Sequence, residues 1–214
     1  MDESTKGIIL RTRLLTETSL IVHWLTPDLG RLATVAKGAR RPKSPLRGKL
    51  DLLFEADFSF ARSRKSELHS LREVVLRNTH AKLRENLGWL QQASYFTALV
   101  EQTTETETPV PKVFQLLQGS LSQLSRESPA ARTVFAFELK LLEELGFKPH
   151  VTESSLGAGA RQIANALMRI PWDGITRLKL SEAQTRELRQ YLHGFMIYHL
   201  ERIPPSRTAA LNAT

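Results

Sequence analysis

The chain contains 214 residues, of which 41% are hydrophobic and 24% are charged, a composition typical of a folded globular protein with one large domain or two small ones. Thirty Lys and Arg residues against 22 Asp and Glu give a net charge of +8, which favours polyanions such as nucleic acid as partners. The absence of cysteine excludes disulfides, thiolate nucleophiles and cysteine-ligated metals. The sequence has neither a signal-peptide pattern nor an apolar run of about 20 residues. We therefore expect a cytoplasmic protein without a membrane partner.

Five apolar runs in the first 80 residues predict short β-strands, because Gly, Pro and Asp residues separate them. The fourth run alternates strictly, with Phe54, Phe58 and Phe60 on one face, as in a strand with one buried side. Pro27 and Gly30 predict a tight turn between the second and third runs. The five runs are Gly7–Leu15, Ser19–Thr26, Arg31–Lys37, Leu50–Ala61 and Leu68–Arg77. Five antiparallel strands of this size predict a five-stranded OB-type β-barrel.

After Asn78 the apolar residues recur every three or four positions, which predicts helices. Ser128 and Pro129 indicate the start of the third helix, and Gly146 indicates its end. The expected helices are 83–100, 112–124, 130–145, 161–169 and 181–201. The sequence therefore predicts an α+β protein in which an OB-fold domain (residues 1–80) precedes an all-helical C-terminal domain (residues 81–207) and a frayed tail (residues 208–214).

Most of the excess positive charge lies in the predicted barrel. Residues 1–80 carry 15 Lys and Arg against 9 Asp and Glu, whereas residues 81–214 carry 15 against 13. Seven basic residues fall within 19 positions that contain no acidic residue: Arg31, Lys37, Arg40, Arg41, Lys43, Arg47 and Lys49. Like charges repel unless a polyanion neutralises them, so this cluster predicts a phosphate-binding loop. The alternative is a solvated loop that only maintains solubility.

Small and rigid residues between these cations favour contact with a nucleic-acid backbone. Gly38 and Ala39 would let backbone amides approach phosphates, and Pro42 would stiffen the loop. Trp24 is a candidate platform for stacking a nucleobase, with burial in the core as the alternative. For the three phenylalanines of the fourth strand, the core is the favoured location.

No catalytic or metal-binding motif is present, so we expect neither an enzyme nor a cofactor. The chain lacks a P-loop, a nucleophile elbow and a zinc-protease motif. The six histidines, at positions 23, 69, 80, 150, 193 and 199, do not have metal-ligand spacing. We expect folding and nucleic-acid binding to survive chelation of metals. A nucleic-acid enzyme with an acidic metal site stays open as a remote alternative.

Five segments resemble the RecO family of bacterial DNA repair proteins. They are Gly7–Arg13, Glu17–Val22, Gly30–Leu32 and Val35–Ser44 in the first part, and Phe137–Phe147 in the helical part. The resemblance implies an OB barrel followed by a helical domain, in agreement with the strand and helix patterns. It further implies a nucleoid-associated DNA recombination protein that binds single- and double-stranded DNA and anneals complementary strands. Its implied partners are RecR and the C-terminal tail of single-stranded-DNA-binding protein, and its implied task is to help load RecA.

Two departures from the family pattern limit what the resemblance implies. Many members carry a four-cysteine zinc module after the helix that ends in Leu-Gly-Phe, but His150–Arg161 contains no cysteine, so a zinc site is not expected. Members often end in a basic segment, of which only Ser206 and Arg207 are present.

The helical domain is nearly charge-balanced, which favours protein contacts over nucleic acid. Phe135, Leu139 and Leu142 could form an apolar groove, with Arg132 and Lys140 as its basic rim. Such a groove would suit an acidic peptide that ends in phenylalanine and a carboxylate. The alternative is that the apolar residues form the core. For the whole chain, the alternative function is an RNA-binding or ribosome-associated OB-fold protein.

Overall fold

A computed structural model describes residues 2–147, 149 and 156–213. It forms two compact units. The barrel unit comprises Met1–Ala81 and Thr104–Gln115, and the helical unit comprises Lys82–Thr103 and Leu116–Thr214. The barrel unit runs to Ala81 and also includes residues 104–115, whose return to the barrel was not predicted.

The barrel unit contains five strands: β1 (Asp2–Leu14), β2 (Leu20–Thr26), β3 (Gly30–Ala36), β4 (Glu55–Ala61) and β5 (Leu68–Asn78). They form a closed barrel in the order β1–β2–β3–β5–β4. The β3–β5 pair is parallel, which corrects the prediction that all five strands are antiparallel, and the other pairs are antiparallel. This closed five-stranded barrel confirms the predicted fold class and fits an OB fold.

Two strands begin five residues away from the starts of the apolar runs, and the other three begin within one residue of them. β1 begins at Asp2 because its polar first half pairs with β4, for example Thr5 with Phe58, and backbone pairing does not require apolar side chains. β4 begins at Glu55, five residues later than predicted. Leu53 has a φ of 70° and is fully buried, so the extended backbone is interrupted there.

The barrel interior is filled by the residues that alternate along the strands. Phe58 and Phe60 are buried, as predicted, and Phe54 packs against the same core cluster while partly buried. Gly30 has a φ of 68°, and a Cβ there would lie 2.0 Å from the carbonyl oxygen of Thr108. Glycine is therefore required where residues 104–108 cross the start of β3.

The remaining named elements of the described chain are helices. A 3-10 turn (Ala81–Glu85) precedes α1 (Leu87–Thr103), α2 (Pro111–Leu124), α3 (Ala131–Glu144), α4 (Ala158–Arg169), α5 (Trp172–Ile175), α6 (Glu182–Leu200) and α7 (Arg207–Asn212). Gly146 ends α3 with a φ of 83°, as predicted. Ser181 caps α6 in a capping box with Gln184. Ala130, not Ser128, is the N-cap of α3, and its side chain makes no capping hydrogen bond.

The prediction of a frayed tail is corrected, because residues 207–212 form α7. Ala210 is fully buried and Leu211 is 6% exposed, so the tail packs against the helical unit. The stretch in which no zinc module was expected includes His150 and residues 151–155, which lie outside the described residues.

Candidate nucleic-acid interface

The basic loop, residues 37–49, leaves β3 and precedes the barrel-closing strand β4. Two apolar residues anchor it, since Ala39 and Leu46 belong to the barrel core cluster. The amide of Arg40 donates to the Thr18 carbonyl at 2.9 Å, and that of Gly38 donates to the Ser19 hydroxyl at 3.1 Å. The loop is therefore held against the turn between β1 and β2.

Most backbone amides of the basic loop are occupied by protein acceptors. Besides those of Gly38 and Arg40, the amides of residues 39, 41, 44, 46, 47 and 49 donate to oxygens within the chain. Gly38 has a φ of 64° and serves the turn geometry. The expectation that Gly38 and Ala39 present amides to phosphates is therefore corrected, and the side chains carry the positive surface.

Five of the seven predicted basic residues are exposed in the loop: Lys37, Arg40, Arg41, Lys43 and Arg47. Arg40 donates to the carbonyl of Glu17 at 2.9 Å, and Arg47 donates to that of Pro42 at 3.3 Å. Each of these bonds engages one of the five N–H groups of a guanidinium. Within residues 2–147, 149 and 156–213, no carboxylate pairs with any of the five side chains.

The other two predicted basic residues have structural partners. Arg31 is half-buried, and its Nε donates to the carbonyl of Thr104 at 2.8 Å, which holds residues 104–108 against β3. Lys49 is half-buried and donates to the carbonyl of Val74 at 3.1 Å. These two cations contribute to the electrostatic field, but their side chains already have fixed positions within the barrel unit.

Trp24 is buried, which removes it from the candidate stacking residues. Its indole N–H donates to the hydroxyl of Thr34 at 2.9 Å, and its ring stacks on Phe58 with centroids 4.1 Å apart. None of its surface is exposed, because its position on β2 points into the barrel. A nucleobase could reach this ring only if the core opened.

The predicted partner groove on α3 is also corrected. Phe135, Leu139 and Leu142 are at most 1% exposed and belong to the core. Arg132 forms an ion pair with Glu127. The ammonium of Lys140 donates to the carbonyls of residues 168 and 170 at 2.8 and 2.9 Å, and burial lowers its pKa. Both cations thus stabilise the helical unit.

A basic groove of about 440 Å³ instead lies between α6 and α7. Arg186, Arg189 and His193 line it from α6 at spacings of three and four, so they share one helix face. Leu211, which is 6% exposed, lines it from α7. Arg189 donates to the side-chain oxygen of Asn212 at 3.0 Å, whereas Arg186 and His193 are exposed and have no partner among the described residues. Helical spacing in the sequence could indicate this face, but α7 was predicted to fray.

The described ranges contain no group of three His, Cys, Asp or Glu side chains that could hold a metal ion. None of the described helices is long and apolar enough to cross a membrane.

Comparison with known proteins identifies the family. Residues 1–80 match the family model "Recombination protein O N terminal", and residues 84–162 match "Recombination protein O C terminal". A DNA repair protein RecO from Alkaliphilus metalliredigens is 28% identical over 93% of this chain and 94% of its own length. The protein of the same name from Rhodopirellula baltica is 34% identical over 67% of this chain and 53% of its own length. The protein of the same name from Dehalococcoides mccartyi is 32% identical over 71% of this chain and 59% of its own length. The chain therefore belongs to the RecO family, with its role in DNA repair and recombination.

Proposed function

We propose that this chain is a recombination mediator that binds single- and double-stranded DNA through the basic loop. The observation that carries the proposal is five exposed cations on a loop anchored to the barrel, without a paired carboxylate in the described chain. Exposed Lys and Arg side chains contact phosphates without reading base sequence. The family's role in DNA repair supports DNA as the polyanion.

Strand annealing follows from the same charge. Two strands on one basic surface repel each other less, because the cations replace their condensed counterions. The burial of Trp24 leaves no aromatic platform at that position to hold bases away from pairing. Together with RecR, the chain would help load RecA onto DNA coated with single-stranded-DNA-binding protein. In this function the chain acts stoichiometrically and not as an enzyme.

Binding to matched nucleic acids tests the proposal against the RNA-binding alternative. We expect saturable binding of labelled single-stranded and duplex DNA, measured by fluorescence anisotropy, that weakens as salt increases. RNA of the same sequence serves as the competitor. A strong preference for structured RNA would favour a ribosome-associated protein, and metal-dependent cleavage of the DNA would favour an enzyme.

The groove between α6 and α7 is the better candidate for the tail of single-stranded-DNA-binding protein. Its polar side chains Arg186 and His193 are exposed and have no partner in the described chain, whereas Leu211 in its wall is only 6% exposed. A peptide carboxylate would accept charge-assisted hydrogen bonds from the arginine.

Replacing Arg186 and His193 together with alanine should weaken binding of an acidic peptide that ends in phenylalanine by at least about tenfold, as lost charge-assisted contacts of about 1.5–3 kcal/mol imply. Titration of the full chain with a labelled peptide measures this effect. Arg177→Ala/Lys179→Ala is the matched control, because both residues are exposed outside the groove. Amidation of the peptide carboxylate should reproduce the loss. Equal losses of peptide affinity in the two double variants would show that the groove is not the peptide-binding site.

A further inference from the structure

A small cleft opens beside the basic loop, within the barrel unit. Its volume is about 270 Å³, and its apolar wall consists of Leu20, Ala39, Leu46 and Leu50. Arg40 and Arg47 stand at the same cleft. The cleft is smaller than the roughly 300–1,000 Å³ typical of sites for drug-sized molecules, which suits a ligand group of the size of a single base.

The wall of this loop cleft is continuous with the barrel core. Ala39 and Leu46 are core residues that are 3% and 6% exposed, whereas Leu20 and Leu50 pack against the core while only partly buried. The protein thus leaves apolar surface uncovered in a concave site between two cations. An inorganic anion would satisfy the arginines but would leave this apolar surface in contact with water.

The two arginines are held in place without losing their binding capacity. One N–H of Arg40 donates to the Glu17 carbonyl, and one of Arg47 donates to the Pro42 carbonyl. The remaining N–H groups can donate to phosphate oxygens. The guanidinium planes can also stack on a base, as arginines do with unpaired bases in nucleic-acid complexes.

We propose that the loop cleft binds one unstacked nucleobase of a single strand, which lies on the apolar wall and stacks against the guanidinium planes of Arg40 and Arg47, whose remaining N–H groups hold the adjoining phosphates. This inference rests on the proposed nucleic-acid binding and adds a subsite to it. A base has two apolar faces and is joined to anionic groups, so it matches both the wall and the rim of the cleft. A base within a duplex is stacked and paired, and would first have to leave the helix.

The test compares oligothymidine with an abasic oligonucleotide of the same length and charge. The unmodified chain should bind oligothymidine at least about fivefold more tightly, since stacking of one base contributes ~1–3 kcal/mol. Arg40→Ala/Arg47→Ala should bring this ratio close to one. Arg40→Lys/Arg47→Lys, which keeps the charge without the planar group, should lower the ratio nearly as far. Circular dichroism confirms that each variant is folded.

Arg41→Ala/Lys43→Ala is the matched control, because it removes two exposed charges from the same loop outside the cleft. It should weaken binding of both oligonucleotides and leave their ratio unchanged. A ratio of one in the unmodified chain, with salt-dependent binding intact, would overturn the subsite alone. The subsite is also overturned if both alanine variants change the affinity ratio equally. The same holds if Arg40→Ala/Arg47→Ala leaves the affinity ratio at its unmodified value. Failure to bind either oligonucleotide would reject the proposed function itself.

Discussion

Arg207→Ala should lower the free energy of unfolding by about 3–5 kcal/mol, the usual result of removing one partner from a buried ion pair. Arg207 begins α7, and its Nε and Nη2 donate to the two carboxylate oxygens of Glu138 at 2.6 and 2.9 Å. The hydroxyl of Tyr95 donates to the same carboxylate at 2.7 Å. Denaturant unfolding followed by circular dichroism measures the loss.

The size of this effect follows from the burial of the three groups. Tyr95 and Glu138 are fully buried, and Arg207 is 6% exposed. Without the guanidinium, the carboxylate of Glu138 would keep one hydroxyl donor in a buried site, and an uncompensated buried charge is costly. The contact with Glu138 also raises the pKa of Arg207 although burial opposes it. Burial and the carboxylate likewise raise the pKa of Tyr95 well above its ordinary value.

A double variant separates the ion pair from simple loss of packing. Glu138→Leu/Arg207→Met removes both charges and keeps apolar volume, so it should lose less stability than Arg207→Ala alone. Arg126→Ala, at an exposed position of the same unit, should change stability by no more than about 0.5 kcal/mol. A loss below about 1 kcal/mol in Arg207→Ala would contradict the assignment of a buried, paired carboxylate.

The barrel was predictable because its core residues alternate in the sequence. Phe58 and Phe60 occupy the buried side of β4, as period-two spacing requires. The same spacing extended the predicted strand too far toward Leu50, because apolar character continues through Leu53 while the backbone turns at a φ of 70°. Pattern alone indicates which side chains are apolar, not where the extended backbone ends.

The candidate site was predictable in composition but not in geometry. The sequence placed seven cations in one segment, yet Arg31 and Lys49 bond to carbonyls that are 73 and 25 residues away in sequence. Such contacts arise only in the folded chain, because Thr104 returns to the barrel unit after α1 and Val74 lies on β5. Trp24 was wrongly predicted to stack on a nucleobase for the same reason, since its partners Thr34 and Phe58 become neighbours through β2–β3 pairing and the closed barrel.

The sequence likewise did not predict the structural role of Arg207. It is one basic residue beyond two prolines, and it directly precedes the segment that was predicted to fray. Its partner Glu138 is 69 positions earlier in the chain and has the pattern of an ordinary helix charge. The structure therefore reassigns Arg207 from a remnant of a basic tail to a stabilising residue of the helical unit.

Arg40→Ala/Arg41→Ala/Lys43→Ala should flatten the dependence of single-stranded DNA affinity on salt. Each phosphate neutralised on a single strand contributes about −0.7 to the slope of log affinity against log salt concentration. Loss of two to three contacts should therefore make the slope less negative by about 1.4 to 2.1. All three side chains are exposed, so the fold should not change. Anisotropy titrations at several salt concentrations give the slope.

The control for this prediction removes three exposed charges elsewhere on the barrel unit. Arg64→Ala/Lys65→Ala/Arg72→Ala changes the net charge equally, but these residues lie in the β4–β5 turn and on β5. Long-range attraction depends on the total charge, whereas release of condensed counterions requires cations in contact with phosphates. The control should therefore leave most of the slope intact. If both triple variants flatten the salt slope equally, the basic loop contributes to binding only through net charge. If the loop variant leaves the slope unaltered, the loop serves only to maintain solubility.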